Sequence, residues 1–369
     1  MRIASVVTGE RNAYSAWIRI DAIAKFLAQK GHSVEMVHFV SKIDRGSEIK
    51  GERYIKTTKI DAPLRSYLAL RDSRYDVVYG NTHQGALLSL PGRLTSKPVV
   101  FDMHGDILSE YLLNKSSRKK KPRLKDTFFI NMTDKLDKTF SSMILCVSQQ
   151  IIKDLVSSGV RREQIAFVPN GIDLEEIRGS SNNNTLREEY KIISDFDTVI
   201  GFAGRWNSWQ GISLLRNVIK ECDERKVLFI LAGLDLKIKK QNLICIPWLP
   251  RTRIWELYDV CDAMVLPRND NYVNRVAGPT KFAEYCAMGK PVISTPIGDP
   301  SDFIRERKSG IVVDGFETDN LMAGIEKFAS MDKDEVAKMG ANSYQLYMDE
   351  FRWTEIVDRL ETRLLDLIS

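Results

Sequence analysis

Cysteine and histidine are scarce in this sequence, and neither is spaced as a disulfide framework or a metal cage requires. The 369 residues include five cysteines and four histidines. No two cysteines lie close together in the chain, and no cysteine–histidine spacing is typical of a metal site. Four of the five cysteines lie in or beside apolar segments. We therefore expect small buried thiols in a reducing compartment.

Long apolar runs are also lacking, and we expect no signal peptide at the start of the sequence. The first residues, MRIASVV, lead directly into a strand pattern, which differs from a signal peptide. No apolar run approaches the roughly 20 residues that span a bilayer. We therefore expect a cytoplasmic protein and expect any contact with a membrane, on its inner face, to be peripheral.

A large charge of either sign is absent too. Lysine and arginine number 54 against 49 acidic residues, so the formal net charge is +5 at pH 7. This mild surplus does not indicate a nucleic-acid-binding protein, although a local basic patch can still meet an anionic surface. Apolar residues make up 43% and charged residues 28%, which is typical of folded globular proteins. The length exceeds what one hydrophobic core normally fills, so we expect two domains.

Short apolar runs alternate with helical patterns through the first half of the chain. Apolar residues recur at helical spacing over Ser15–Lys30, and Gly31 follows where a left-handed helix cap is favoured. The pattern predicts strands at Arg2–Val7, Val34–Phe39, Asp76–Tyr79, Pro98–Phe101 and Met143–Val147. Strand and helix in alternation imply a parallel sheet that is covered on both faces.

A second alternating series follows the polar, turn-rich stretch Gly179–Thr185. The last predicted element is an amphipathic helix over Phe351–Ile368. Strands are predicted at Val199–Ala203, Val227–Ala232, Leu243–Ile246, Ala263–Leu266, Pro291–Ser294 and Gly310–Val313. The chain is therefore predicted to form two doubly wound α/β domains, whose ligands bind at the carboxyl edges of the strands.

The segment Asn114–Asp126, NKSSRKKKPRLKD, interrupts the first series and is strongly cationic. Apolar residues flank it at Tyr111–Leu113 and Phe128–Ile130. A charge run is usually a solvated loop. Basic and apolar residues together also suit an interface with anionic lipid, and both interpretations stay open. The second predicts a membrane contact through Arg118, Lys119, Lys120, Lys121, Arg123 and Lys125.

Several segments resemble those of one enzyme family. They include LCVSQQIIKDLVSSGV and VPNGID, then IGFAGRWNSWQGISLL, IPWLPRTRIWELYDVCDAMVLP, GPTKFAEYCAMGKPVISTPIGDPSDFI and FRWTEIVDRLE. In order, they are similar to the end of the N-terminal domain, the start of the donor domain, the nucleotide-side loop, the donor signature and the closing helix of GT-B glycosyltransferases, family 4 in particular. The resemblance covers Met143–Val313, with only GHSVEMV and DMHGD in the first part of the chain.

The resemblance implies the GT-B fold, in which two Rossmann-like α/β domains with parallel sheets face each other across a cleft. It implies an N-terminal acceptor domain over 1–176, joined by the returning helix 353–369, and a nucleotide-sugar donor domain over 177–352. The expected activity is retaining hexosyl transfer from a nucleoside diphosphate sugar, with UDP ahead of GDP. The expected acceptor is a glycan, lipid-linked or a growing surface polysaccharide. No cofactor or metal is expected, because basic residues can stabilise the charge that a cation would otherwise meet.

Negative charge on a donor pyrophosphate requires fixed cations and free backbone amides. Arg205 follows Gly204 directly after a predicted strand and corresponds to the family's phosphate-binding arginine, with a plain surface arginine as the alternative. The family's usual lysine position holds Gln210, which brings no charge. Lys281 is the candidate replacement, with an ordinary exposed helix lysine as the alternative.

The GPTK turn precedes the helix that contains the family's donor carboxylate. Its residues Gly278, Pro279, Thr280 and Lys281 are expected to turn backbone amides toward the pyrophosphate. Glu284 corresponds to the second glutamate of the paired-glutamate signature. It is expected to accept hydrogen bonds from the ribose hydroxyls, with a structural ion pair as the alternative.

The first glutamate of that signature is replaced by Val276. In the family this carboxylate holds the donor sugar, so the sugar and the stereochemical outcome stay open here. Asp270, Asn271 and Asn274 lie nearby in the chain, and each is a candidate to take its place. Asn274 is counted among the predicted donor-binding residues.

His104 follows a predicted strand and resembles a family histidine that touches the donor sugar near the reacting carbon. A structural hydrogen bonder is the alternative. It is not assigned as a general base, because in the family the leaving phosphate is thought to take the acceptor proton. Asp102 and Asp106 are the alternative bases for an inverting enzyme.

Two rival functions remain open at this point. A sugar-nucleotide epimerase on the same fold would need paired acid and base residues. A non-catalytic scaffold that binds a partner protein gains some weight from Val276 and Gln210, which replace two of the family's charged residues.

Overall fold

The computed structural model describes residues 1–9, 15–42, 49, 51–58, 60–72, 74–175, 185–192, 196–207, 209–223 and 226–369. The chain divides into two compact units. The first comprises Met1–Pro169 and Trp353–Ser369, and the second comprises Asn170–Arg352. The predicted boundary between residues 176 and 177 lies outside the described residues, as does the stretch Gly179–Thr185 apart from Thr185 itself.

In the described part of the first unit, seven parallel strands form one sheet in the order β3-β2-β1-β4-β5-β6-β7. The chain reverses its direction of strand addition between β1 and β4, which is the switch point of a doubly wound fold. The strands are β1 (Arg2–Thr8), β2 (Ser33–Val40), β3 (Arg53–Lys56), β4 (Val77–Asn81), β5 (Val99–Met103), β6 (Met143–Cys146) and β7 (Ile165–Phe167).

Helices cover this sheet on both sides. The α-helices are α1 (Ser15–Gln29), α2 (Ala62–Leu70), α3 (Thr82–Ser89), α4 (Ile107–Ser117), α5 (Leu124–Phe140) and α6 (Gln149–Ser157), with 3-10 turns at Leu90–Thr95 and Arg162–Gln164. Gly31, just beyond α1, has a φ of +86°, the left-handed conformation that its position predicted.

The C-terminal helix of the chain belongs to the first unit. This helix, numbered α15 below, runs from Trp353 to Ile368. Its buried apolar stripe includes Trp353, Val357 and Leu364, which join Ile23 of α1 in one hydrophobic cluster. The helical spacing of these residues produces the stripe, and its burial attaches the end of the chain to the first sheet.

In the second unit, the described strands form a six-stranded parallel sheet in the order β10-β9-β8-β11-β12-β13. The strands are β8 (Thr198–Ala203), β9 (Val227–Ala232), β10 (Leu243–Ile246), β11 (Ala263–Leu266), β12 (Val292–Ser294) and β13 (Gly310–Val312). The α-helices are α7 (Leu186–Glu189), α8 (Ile212–Glu221), α9 (Ile254–Val260), α10 (Tyr272–Val276), α11 (Thr280–Ala287), α12 (Gly298–Arg307), α13 (Thr318–Ala329) and α14 (Lys333–Leu346), followed by a π turn at Tyr347–Phe351.

The prediction of two parallel-sheet α/β domains is confirmed. Each predicted strand is present, and its ends differ from the prediction by at most two residues. Strands β3 and β7 were not among the predicted strands, and they are short, with four and three residues.

The cationic segment is less of an interruption than its sequence indicated. Residues Asn114–Ser117 continue α4, and Leu124–Asp126 begin α5, so only residues 118–123 connect the two helices. Among the residues that the structure describes, no helix is both long and apolar enough to cross a membrane.

Candidate functional site

The candidate donor site lies at the carboxyl edge of the second sheet, where β8 runs between β9 and β11. The strand order reverses there, and open α/β sheets bind ligands at such a point. Gly204 and Arg205 follow β8, and Arg268 comes two residues after the end of β11. The connections that follow these strands therefore place polar side chains at the carboxyl edge of the second sheet.

Gly204 makes room for the side chains at this edge. Its amide donates a hydrogen bond to the carbonyl of Ala232 at 2.9 Å, which pairs it with the end of β9. A Cβ atom on Gly204 would lie 2.5 Å from the Nζ atom of Lys281 and 2.5 Å from the Oε1 atom of Gln210. Only glycine therefore allows these two side chains to approach the backbone so closely.

Lys281 and Gln210 are in direct contact. Gln210 occupies the position at which the family usually has a lysine, and Lys281 was predicted from sequence to replace that charge. The Nζ atom of Lys281 donates to Oε1 of Gln210 at 2.6 Å and lies 4.9 Å from the ring centroid of Phe202. Burial, together with the positive charge of Arg268, lowers the pKa of Lys281 to about 7, although the negative charge of Glu284 opposes this. Lys281 is thus a half-buried amine held by a neutral partner.

Arg268 is a second cation at this edge, and it was missed in the sequence analysis. Its Nη1 atom donates to Oδ1 of Asn274 at 3.0 Å, while its Nε atom is buried without a hydrogen-bond partner. Burial lowers the pKa of Arg268 to about 10, so it stays charged at neutral pH. The signal that identified Arg205, a basic residue following a buried strand, was present for Arg268 as well.

Asn274 links the connections that follow β8 and β11 by hydrogen bonds. Its Nδ2 atom donates to the carbonyls of Trp209 and Asn269, each at 2.8 Å. The side chain is 1% exposed, so its amide is committed to contacts inside the protein. Asn274 was predicted to bind the donor, and in the structure its side-chain oxygen accepts a hydrogen bond from Arg268.

The other residues near the missing glutamate have structural partners. Asp270 forms an ion pair with Arg275 at 2.7 Å, and Oδ1 of Asn271 accepts a hydrogen bond from the amide of Asn274 at 2.9 Å. Val276, at the position of the family's first glutamate, is 1% exposed. Asp270 and Asn271 are therefore engaged by neighbouring residues, and the side chain at position 276 is buried and apolar.

Glu284 lies on α11, is 9% exposed and has a defined orientation. The hydroxyl of Tyr258 donates to its Oε2 atom at 2.8 Å, and Nη1 of Arg251 lies 4.0 Å from its Oε1 atom. Tyr258 is itself held edge-to-face between Trp255 and Tyr285. Neither Tyr258 nor Arg251 was singled out from sequence, because contacts across the fold bring them to Glu284.

Arg205 lies on an aromatic surface. Its guanidinium is 4.4 Å from the ring centroid of Trp248, which is 56% exposed. A Cβ atom on Gly233 would lie 2.7 Å from the Trp248 ring, so this glycine lets the indole pack over the end of β9. Stacking of this kind orients an exposed arginine and leaves its edge free to bind an anion.

The GPTK turn is fixed by the VPNGID motif. The Nδ2 atom of Asn170 donates to the carbonyl of Gly278 at 2.6 Å. Pro279 is the N-cap of α11, and Thr280 is its first helical residue. The first amides of an α-helix lack intrahelical partners, so this end carries partial positive charge beside Lys281.

His104 lies in the first unit, at the carboxyl end of β5, beside a buried charged network. Its Nε2 atom is 3.1 Å from Oδ2 of Asp102, which also accepts a hydrogen bond from the Tyr79 hydroxyl at 3.0 Å. Arg19 binds both Asp102 oxygens, and both side chains are at most 2% exposed. Burial raises the pKa of Asp102, but the charges of Arg19 and His104 outweigh it and hold that pKa below its ordinary value.

The two alternative bases therefore have partners within the protein. Asp102 is committed to Arg19 and Tyr79, and Asp106 caps α4 by accepting a hydrogen bond from the amide of Ser109 at 2.7 Å. Within the described ranges, no group of three or more histidine, cysteine or acidic side chains is placed to hold a metal ion.

The six basic residues of the predicted membrane contact are all exposed, five in the connection between α4 and α5 and Lys125 in the first turn of α5. The hydroxyl of Tyr111 donates to Oδ2 of Asp126 at 3.0 Å and accepts from the amide of Arg123 at 3.1 Å, so Tyr111 ties the two helices together. Leu124, Phe128 and Phe129 are 90%, 71% and 57% exposed. Apolar side chains thus accompany the basic residues at the start of α5, including Leu124, which sequence analysis had not singled out.

Two family models match the chain. The model described as Glycosyltransferase Family 4 matches residues 16–176, and the model described as Glycosyl transferases group 1 matches residues 184–346. The putative glycosyltransferase YtcC of Bacillus subtilis (strain 168) is 24% identical over 323 residues, which cover 79% of this chain and 73% of YtcC. An uncharacterized 41.2 kDa protein in the cps region of Klebsiella pneumoniae is 25% identical over 193 residues, 49% of this chain and 50% of that protein.

A solved structure shows the same fold over nearly the whole chain. The crystal structure of Anabaena Alr3699/HepE in complex with UDP has a TM-score of 0.76 and 16% identity, and the match covers 99% of this chain and 100% of that one. The same protein has been solved in complex with UDP-glucose. At this identity the likeness concerns the fold.

Proposed function

Because the chain belongs to the GT-B glycosyltransferases of the family 4 type, we propose that it transfers a hexose from a UDP-sugar to a glycan acceptor, with retention of anomeric configuration. The proposal places this reaction in the synthesis of a cell-surface polysaccharide or glycoconjugate. The nucleotide sugar acts as co-substrate, and no resident cofactor or metal takes part.

The observation that carries the proposal is the charge distribution at the carboxyl edge of the second sheet. Lys281 and Arg268 lie close enough for Arg268 to depress the pKa of Lys281, and their hydrogen bonds go to the neutral side chains of Gln210 and Asn274. Glu284 is oriented nearby by Tyr258. Such a site suits a ligand with a diphosphate for the cations and a vicinal diol for the carboxylate.

The chemistry follows from this charge distribution. In the proposed transfer, the bond between the anomeric carbon and the phosphate oxygen breaks, and negative charge grows on the departing diphosphate. The cations of the site, with Arg205 among them, stabilise that charge in the transition state. The acceptor oxygen bonds to the anomeric carbon, and its proton passes to the leaving phosphate. His104 contacts the donor sugar.

The choice of UDP is supported by likeness to a fold neighbour that was solved with UDP and with UDP-glucose. The choice of a lipid-linked acceptor, and of peripheral location on the inner face of the membrane, is supported by the exposed basic and apolar residues at Arg118–Phe129. A basic surface bearing exposed aromatic side chains suits the interfacial region of an anionic bilayer.

A ligand screen tests the proposal. Ligands that bind only the folded state raise the melting temperature. We expect UDP-glucose or another UDP-sugar to raise it more than GDP-sugars do, and we expect release of UDP when acceptor is added, unchanged by EDTA. A stable epimerised nucleotide sugar formed without acceptor would instead favour an epimerase. Absence of binding to every nucleotide sugar would favour a scaffold, and loss of activity in EDTA would contradict a metal-free reaction.

A further inference from the structure

Arg268 has no role in the family resemblance, yet its positive charge acts with burial to lower the pKa of Lys281. We propose that Arg268, positioned by Asn274, forms with Lys281 the pair of cations that binds the diphosphate of the nucleotide donor. This inference rests on the proposed function, and it names the residues that replace the missing lysine at Gln210.

Both the main chain and the side chain of Arg268 are held by hydrogen bonds. The backbone carbonyl of Arg268 accepts a hydrogen bond from the buried hydroxyl of Thr295 at 2.7 Å, and the Nη1 atom of Arg268 donates to Asn274. The buried Nε atom has no hydrogen-bond partner. An unpaired buried donor is costly unless a ligand supplies the acceptor, and a phosphate oxygen is such an acceptor.

When Lys281 is protonated and no anion is bound, it and Arg268 repel each other. The positive charge of Arg268 acts with burial to depress the pKa of Lys281. Glu284 opposes that shift, but its Oε2 atom accepts the hydrogen bond of Tyr258 and its Oε1 atom faces Arg251. A ligand with two negative charges would relieve the repulsion, because it offers each cation its own acceptor.

The shape of the site favours phosphate over a single carboxylate. Lys281 is a point charge at the start of α11, whereas Arg268 presents a planar fork of donors. Gly204 keeps the backbone close to Lys281, since any Cβ there would meet its amino group. Two cations of different geometry beside a helix N-terminus suit the several oxygens of a diphosphate.

Asn274 acts through Arg268. Its one acceptor atom takes the Nη1 hydrogen of Arg268, and its two donor hydrogens go to the carbonyls of Trp209 and Asn269. Trp209 belongs to the connection after β8, and Asn269 to the connection after β11. Asn274 thereby fixes the guanidinium relative to both connections and is a positioning residue.

Binding of inorganic pyrophosphate and of UDP, measured by titration calorimetry, tests the pair. Arg268→Gln is expected to weaken both ligands by roughly ten- to hundredfold, the effect of losing one charged hydrogen bond. Uridine, which lacks phosphate, should bind as it does to the parent. Arg275→Gln is the matched control, because Arg275 is an exposed arginine paired with Asp270 in the same region. It should leave all three affinities unchanged.

A double-mutant cycle tests the role of Asn274. Asn274→Ala should weaken pyrophosphate in the parent but add nothing in the Arg268→Gln background, because the two residues act as a unit. Melting temperatures of all variants separate unfolding from loss of binding, and Asn274→Ser serves where the alanine variant is unstable. Additive losses across the cycle would show that Asn274 does not act through Arg268.

The outcomes separate this inference from the proposed function. Sugar transfer by the parent, with pyrophosphate and UDP affinities unaltered in a folded Arg268→Gln protein, would overturn the inference alone. Pyrophosphate binding that depends on Arg268, in a protein that transfers no sugar from any nucleotide sugar, would overturn the proposed function alone.

Discussion

The amino group of Lys281 donates a hydrogen bond to the side-chain oxygen of Gln210 at 2.6 Å. The contact joins the start of α11 to the connection before α8, and it brings a cation to the position where the family usually has a lysine. Lys281 is therefore the candidate to supply the charge that Gln210 lacks.

The ionisation of Lys281 should make donor binding depend on pH. Its folded pKa of about 7 lies below the ordinary 10.5, so the amine is largely neutral above pH 7 in the empty site. A bound diphosphate favours the ammonium form and raises this pKa, so binding takes up a proton between the two pKa values. UDP affinity should therefore fall as pH rises from about 7.5 to 9, by up to about tenfold per pH unit.

Calorimetry in buffers of different ionisation enthalpy measures that proton uptake. Lys281→Met keeps the length of the side chain without its charge. It should bind UDP weakly and with the same affinity across this range. A parent protein whose affinity is flat over this range would show that Lys281 is already charged or distant from the phosphates.

Glu284 is expected to contribute to donor binding. Glu284→Ala should lower UDP-sugar affinity by roughly 1.5–3 kcal/mol, the value of a hydrogen bond to a charged group, while the fold survives. Tyr258→Phe is the control, since it removes only the hydroxyl that orients the carboxylate. Its effect should be smaller than that of Glu284→Ala. Unchanged donor binding in the folded Glu284→Ala protein would remove Glu284 from the site.

Arg205 should act on the leaving group more than on the bound donor. Arg205→Ala is expected to lower kcat by a larger factor than it raises the donor Kd, because negative charge grows in the transition state. Trp248→Leu removes the ring on which Arg205 stacks and should give a weaker version of the same change. Equal turnover by the Arg205→Ala protein and its parent would exclude Arg205 from the mechanism.

The Arg19–Asp102 pair should stabilise the first unit. Asp102→Asn leaves the buried charge of Arg19 uncompensated and should cost about 3–5 kcal/mol of unfolding free energy at pH 7. The pKa of Asp102 is lower in the folded state than in the unfolded state, so its contribution is present above the unfolded pKa. It is lost as pH falls through the folded pKa.

Urea unfolding of the two proteins at several pH values measures this contribution. Asp76→Asn is the control, because Asp76 pairs with Arg2 on the surface and should change stability little. An Asp102→Asn protein as stable as the parent at pH 7 would contradict the assignment of a buried charged pair.

The basic segment should bind anionic membranes. We expect co-sedimentation with vesicles rich in anionic lipid, lost at high salt, because each nearby basic residue contributes about 1 kcal/mol before screening. The screening length is about 8 Å at physiological ionic strength. Replacement of Arg118, Lys119, Lys120, Lys121, Arg123 and Lys125 by serine or glutamine should reduce the bound fraction.

Two further variants refine the membrane experiment. Phe128→Ser with Phe129→Ser removes exposed apolar area and should weaken binding at every salt concentration. Lys333→Gln with Lys338→Gln changes exposed lysines of α14 in the second unit and should have no effect. Equal partitioning of the parent onto neutral and anionic vesicles, or none onto either, would mean that the tract is a solvated loop.

The sequence by itself determined the class of fold and the elements at which polar residues collect. The continuous apolar run of Val227–Ala232 predicts a strand that is covered on both faces, and the helical spacing of apolar residues in Trp353–Ile368 predicts one covered face. Glycines and basic residues after those strands, such as Gly204 and Arg205, marked the carboxyl edge of the second sheet. These signals are local in the chain, so the sequence alone carries them.

Only the tertiary structure decided which side chains meet. Lys281 and Gln210 lie 71 positions apart and Tyr258 and Glu284 lie 26 apart, so no local pattern links them. The commitment of Asn274 to Arg268 likewise depends on the strand order, because the connections after β8 and β11 become neighbours only when those strands pair. Contacts of this kind arise when elements distant in the chain pack together, and the pKa shifts follow from the burial that this packing produces. The local sequence pattern predicts the order of the elements along the chain but not which of them pack together.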